Sequence, residues 1–148
     1  MGVSRYRVSL RLIHPSMDPD EITTALQMEP KRAWKAGEPR TTPKGTPIAG
    51  VFRQTYWYAN VCEGRMPPQE LAEELDQVLD GLIPYQAFLT RLREEGGRSE
   101  FFVGFYLGDQ AGETYPSTML AKMAALGLDL SLDNYHDESL VETNSEDD

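Results

Sequence analysis

The opening residues set a period of two. Tyr6, Val8, Leu10 and Leu12 alternate with Arg5, Arg7, Ser9 and Arg11, which is the pattern of a strand with one apolar and one polar side. Past His14 and Pro15 the spacing changes. Asp18 suits a helix N-cap, Pro19 the first helical position and Glu21 the returning half of a capping box. Ile22, Ala25 and Leu26 then give an apolar side to a helix over 19–27, which Pro30 prevents from continuing. Residues 31–50 hold three prolines, three glycines and almost no apolar periodicity, and they predict a loop. Loops beyond about 12–15 residues are uncommon inside compact domains and are often functional. A strand over 51–61 follows, dense in Phe52, Tyr56, Trp57 and Tyr58.

The second half repeats the layout. Pro67 and Pro68 open a helical stretch in which Leu71, Leu75, Val78, Leu79 and Leu82 recur every three or four residues, with Glu70, Glu73, Glu74 and Asp76 toward water. Gly81 and Pro84 predict a break, and Tyr85, Phe88, Leu89 and Leu92 a second helical piece closed by Gly96 and Gly97. A strand over 100–107 carries Phe101, Val103, Phe105 and Leu107 on one side. Phe102, Gly104, Tyr106 and Gly108 follow its other side, so it reads as central and covered on both. Ser117 is placed as the cap of a helix containing Leu120, Met123, Ala124 and Leu126, which Gly127 stops. Leu128, Leu130 and Leu132 finally alternate with Asp129, Ser131 and Asp133.

This βαβ-α-βαβ order predicts an α+β two-layer sandwich of mixed or antiparallel pairing, ferredoxin-like with a helical insertion, in one domain over 1–136. Residues 137–148 are acidic and lack a usable apolar side, so a disordered tail is expected there.

Several spaced motifs carry a family likeness. The run DPDEITTALQMEP, Gly37 of KAGE and the TYW ending at Trp57 resemble the first half of the bacterial proteins grouped as domain of unknown function 4279. ELAEELDQVLDGLIPYQAFLTRLREEG and STMLAKMAALGLDLSLDNY are similar to that family's long leucine-rich helix and closing helix-strand unit. The likeness spans residues 6–136 and implies a single bacterial cytoplasmic domain. It brings no established activity and no catalytic residues.

Charge narrows the function classes. Among 148 residues, 14 Lys and Arg stand against 24 Asp and Glu, a net charge of −10 that disfavours general affinity for nucleic acid or anionic membrane and suits a basic protein partner. A single cysteine, Cys62, excludes an internal disulfide. With neither a signal-like start nor a run of ~20 apolar residues, a cytoplasmic protein without membrane contact is expected. Oligomeric state stays open.

Phosphate-loop, nucleophile-elbow and zinc-helix motifs are absent. His14, His136, Cys62, Asp18 and Asp20 lack ligand-like spacing, so no metal or cofactor is expected; Asp18 reads as a cap and Cys62 as a small, half-buried apolar residue. Arg5, Arg7 and Arg11 are expected to pair with acids of a neighbouring strand, Asp129 or Asp133.

One stretch runs against the charge of the rest. Residues 31–53 contain Lys31, Arg32, Lys35, Arg40, Lys44 and Arg53 with one acid, Glu38, a net +5 that leaves −15 for the remainder. Trp34 lies among them, so the segment offers charge-assisted hydrogen bonds and an indole to an anion. The bland reading is a solvated loop with Trp34 plugging the rim of the sandwich; Tyr56 and Trp57 read as core or sheet filling. Three functions follow as expectations: a non-enzymatic module acting through protein contact, of the immunity type that neutralises a nuclease toxin; a small-anion or polyanion sensor using residues 31–53; and an unrecognised enzyme.

Overall fold

In the computed structural model, which describes residues 4–66, 70–106 and 113–135, the alternating N-terminal strand lies in the middle of a five-stranded sheet. This strand, β1 (Ser4–His14), is followed by α1 (Pro19–Leu26), three short strands β2 (Arg32–Trp34), β3 (Pro39–Thr41) and β4 (Pro47–Val51), and the long β5 (Thr55–Met66). Then come α2 (Leu71–Leu82), a single 3-10 turn (Ile83–Tyr85), α3 (Gln86–Glu94), β6 (Arg98–Tyr106), α4 (Ser117–Leu126) and β7 (Leu128–Tyr135). The main sheet has the order β2-β5-β1-β6-β7, and β3 and β4 form a separate hairpin. All its pairings are antiparallel except β6 with β7, which are joined through α4 as a parallel unit.

The mixed α+β class and the alternation of long elements match the periodicity. The strand order differs from a ferredoxin-like sheet: β6 and β7 are direct neighbours, whereas a split βαβ unit has another strand between them.

Register explains the two sides of the sheet. Tyr6, Val8, Leu10 and Leu12 lie opposite Phe105, Val103, Phe101 and Ser99 of β6, and Trp57 and Ala59 of β5 lie beside Leu12 and Leu10. These apolar side chains form one core with Ile22 and Leu26 of α1, Leu71, Leu75, Leu79 and Leu82 of α2, Leu89 and Leu92 of α3, and Met119, Met123 and Leu126 of α4. Burying each such side chain contributes roughly 1.5–3 kcal/mol.

The other side carries Arg5, Arg7, Ser9 and Arg11 beside Tyr58, Phe102 and Tyr106, and among the described residues no second layer of helices covers it. β6 is thus interior as expected, but the cover on its second side comes from side chains: the Arg11 guanidinium lies 3.9 Å from the Phe102 ring centre. Leu107, Gly108 and the acidic segment 137–148 fall outside the described residues.

Local signals at the helix ends hold with two changes. The Asp18 carboxylate accepts the Asp20 amide at 2.9 Å, capping α1, while Glu21 reaches Arg91 of α3 at 2.7 Å instead of returning to the cap. At α4 the extended Pro116 takes the N-cap position and Ser117 becomes the first helical residue. Pro84 ends α2 through the 3-10 turn, as its missing N–H requires. Gly81 sits inside α2, where glycine costs about 1 kcal/mol relative to alanine.

The segment 31–50 is a folded hairpin and not a loop. Pro39 and Pro47 occupy the first positions of β3 and β4, where a missing N–H is tolerated. Thr42 to Gly45 close a turn, with the Gly45 amide donating to Thr42 O at 2.8 Å and Gly45 in the left-handed region at φ 89°.

Candidate functional site

The hairpin is tied to the sheet at its base. Thr55, fully buried, accepts the Ala36 amide on its hydroxyl at 3.1 Å and donates to Met17 O, joining the exit of β2 to the start of α1. The Gly37 amide donates to Phe52 O and the Phe52 amide to Glu38 O, at 2.8 and 2.9 Å, which fixes the entry of the hairpin against its exit.

Trp34 is the pivot of this region. Its ring stacks on Phe52 with centres 4.5 Å apart and on Tyr56 at 4.6 Å, and its indole N–H donates to Gln54 O at 3.1 Å. Such stacked pairs add roughly 0.5–1.5 kcal/mol each beyond area burial. The Arg32 guanidinium stands 4.7 Å from the Trp34 ring centre and donates to Thr41 O at 3.4 Å. Arg40 donates to Ala49 O at the same distance.

Between the hairpin and β2 lies an open groove of about 600 Å³. Arg32, Arg40 and Arg53 line it together with Trp34, Phe52, Ile48, Val51, Thr41, Thr42, Pro43 and Gln54. None of these residues is acidic. Guanidinium groups stay protonated throughout the physiological range and match carboxylate or phosphate geometry in a planar fork. The site can therefore hold an anion against an apolar wall.

Four of the seven residues singled out in the sequence meet here: Arg32, Trp34, Arg40 and Arg53. The other three do not line the groove. Lys31 extends the β2 pairing through its amide to Tyr58 O, the Lys35 ammonium lies 3.8 Å from the Asp18 carboxylate, and Lys44 is inside the hairpin turn. Phe52, Ile48 and Val51 were missed as wall residues. A signal existed in the Thr-Pro-Lys-Gly turn, which marks a hairpin whose two strands bring both ends of the stretch together.

The remaining candidates have structural roles. Arg7 pairs with Glu63, directly opposite on β5, at 3.4 Å; β6 lies between β1 and β7, so Asp129 and Asp133 are not on a neighbouring strand of these arginines. Trp57 is fully buried and donates to the Thr23 hydroxyl at 3.0 Å. His14 accepts the Ser16 and Met17 amides on Nδ1 at 3.0 and 2.8 Å, so in the neutral ring the proton lies on Nε2, 2.8 Å from Glu95. Cys62 is half-buried, and burial, aided by Glu63, pushes its thiol up to about 11, the opposite of an activated nucleophile. Among the described residues no group of three or more His, Cys, Asp or Glu is placed to hold a metal ion, and no helix is long and apolar enough to cross a membrane. His136 lies outside the described residues.

A model of the family described as domain of unknown function (DUF4279) matches residues 4–137. No curated protein and no solved structure matches the chain.

Proposed function

The chain belongs to the DUF4279 family, and from its geometry we propose a non-enzymatic binding module whose hairpin groove takes a small anion carrying an apolar or planar body. The observation that carries this reading is the convergence of Arg32, Arg40 and Arg53 on one groove walled by Trp34, Phe52, Ile48 and Val51, in a chain of net charge −10. A cationic cluster in a molecule of opposite net charge focuses anions locally. The groove has the volume of a site for a molecule of drug-like size. The guanidinium groups supply charge-assisted hydrogen bonds to a carboxylate or phosphate, and the wall supplies contact area.

The test is calorimetric titration with a panel of aryl phosphates and aryl carboxylates, with inorganic phosphate as the truncated control. The aryl anions should bind more tightly than inorganic phosphate, and Arg32→Gln and Arg40→Gln should each weaken them by tenfold or so, the usual worth of a charged hydrogen bond. Binding unchanged in both variants, or no binding by any member of the panel, overturns the reading. The protein-contact reading, with a basic partner, draws support from the −15 carried outside residues 31–53 and from a second groove on another side of the fold.

A further inference from the structure

β1 is the middle strand of the main sheet, and the charged residues on its uncovered side are all arginines: Arg5, Arg7 and Arg11. Register sets Arg65 of β5 directly opposite Arg5, a pairing of like charges that an anion lying over both offsets. A cationic ridge thus runs along the centre of this side in a chain of net charge −10. The acids on the same side stand on the flanking strands. Asp129 is exposed on β7, while Glu63 accepts from Arg7 at 3.4 Å, Glu100 from Ser131 at 2.9 Å and Asp133 from Tyr135 at 2.6 Å.

Rings lie beneath the ridge. The Arg5 and Arg7 guanidinium groups stand 5.6 and 5.8 Å from the Tyr106 ring centre, and that of Arg11 lies 6.0 Å from the centre of Tyr58 and 3.9 Å from that of Phe102. A guanidinium set over a ring still turns its N–H fork sideways, where a carboxylate accepts two parallel bonds. Tyr58 and Tyr106 are only 5% and 7% exposed, which withholds their rings from a stacking nucleobase. The side therefore offers guanidinium edges to carboxylates more than aromatic faces to bases.

The chain itself carries carboxylates to this place. β7 ends at Tyr135, in register with Tyr106, which lies opposite Arg5, so two strand spacings, about 10 Å, separate the end of β7 from β1. Residues 137–148 follow, with six acids and no Lys or Arg. Twelve residues reach up to ~40 Å when extended, and the five-stranded sheet is about 19 Å across. The tether holds these acids at a local concentration of about millimolar, so several exposed pairs worth at most ~1 kcal/mol each suffice for docking. We propose that the uncovered side of the sheet is a receptor surface for an acidic segment, and that its occupant is the chain's own residues 137–148. The segment crosses from the end of β7 over Arg5 and Arg7 toward Arg11, and its carboxylates offset the opposed charges of Arg5 and Arg65. An acidic segment of another protein gains the same surface only by displacing it.

The test uses the full chain with a nitroxide attached at Ser145→Cys, in a Cys62→Ala background that leaves one thiol, and reads the broadening of backbone amide signals by nuclear magnetic resonance. Amides of residues 5–11 and 100–106 should broaden more strongly than those of α3 in the helical layer, and added salt should remove the excess, because exposed ion pairs are screened. Changing the six acids of 137–148 to their amides alters no residue of 4–135 and should reduce the excess broadening several-fold. The Arg5→Gln, Arg7→Gln, Arg11→Gln triple variant should do the same. Equal broadening of the sheet and α3, or an excess kept when the acids are neutralised, overturns the proposal. An excess of the same size in nitroxide-free chains mixed with labelled ones also overturns it, by assigning the surface to a second copy.

Discussion

The two tryptophans belong to neighbouring strands yet face opposite sides of the sheet, and their surroundings differ in kind. Trp57 is fully buried among aliphatic side chains and spends its one polar atom on Thr23. Trp34 is half-buried, stacked on Phe52 and Tyr56, and approached by Arg32. On the first side stability comes from apolar area removed from water. On the second, rings and guanidinium groups are held by stacking, by cation–π contact and by hydrogen bonds to backbone oxygens, contacts worth roughly 0.5–2 kcal/mol each. The contrast separates the part of the chain that maintains the fold from the part to which the proposed anion site belongs.

The contrast is broken most severely by substitutions on the covered side. Phe101→Ala removes a fully buried ring from the middle of the core and should cost about 3–5 kcal/mol in denaturant unfolding. A smaller but specific loss is expected for Gly97→Ala. The added Cβ would lie 2.5 Å from Leu92 Cδ2 and 2.6 Å from the backbone oxygen of Ile13, and overpacking of this type costs roughly 1–3 kcal/mol. A near-neutral result at Gly97 would show that the turn after α3 is looser than its packing indicates.

On the uncovered side Arg32→Gln should cost about 1–2 kcal/mol, the worth of a half-buried cation–π contact with its hydrogen bond to Thr41 O, while binding at the groove falls. A stability loss matching that of Phe101→Ala would erase the distinction between the two sides.

The smallest effect is a pH dependence at the polar margin of the core. Glu95 is held below its ordinary value of 4.5, first by the hydrogen bond from Arg91 and next by that from His14. A carboxylate more acidic in the folded state than in the unfolded one stabilises fully above the unfolded value and loses this as the pH falls through the folded one. The melting temperature of Glu95→Gln should therefore lie below that of the parent near neutrality, and the gap should close on acidification below 4.5. A gap independent of pH would assign the loss to packing.

The covered side was legible in the sequence because burial imposes periods: β1, α2, α3 and β6 each repeat apolar residues at two, three or four positions. The hairpin was not legible as strands, since every residue of β4 is exposed and an element without a buried side leaves no alternation to read. Its charge was legible all the same, because charge does not depend on secondary structure; the excess of bases over 31–53 marked the stretch. Sequence spacing could not say which bases converge. Arg53 reaches the groove that Arg32 and Arg40 line only because the Thr42–Gly45 turn folds the stretch back, whereas Lys35, nearer to Arg32 in sequence, is drawn to Asp18. The pairing of Arg7 with Glu63 instead of an acid of β7 was equally out of reach, because strand order is a property of the whole sheet.

The most direct measurement of the anion site is the emission of Trp34 during titration with phenyl phosphate at low salt, since Trp57 is shielded by complete burial. The account predicts a saturable change that shrinks as salt is added and disappears in the Arg32→Gln, Arg40→Gln double variant. An unchanged emission, or a response of the same size in the double variant, would contradict it.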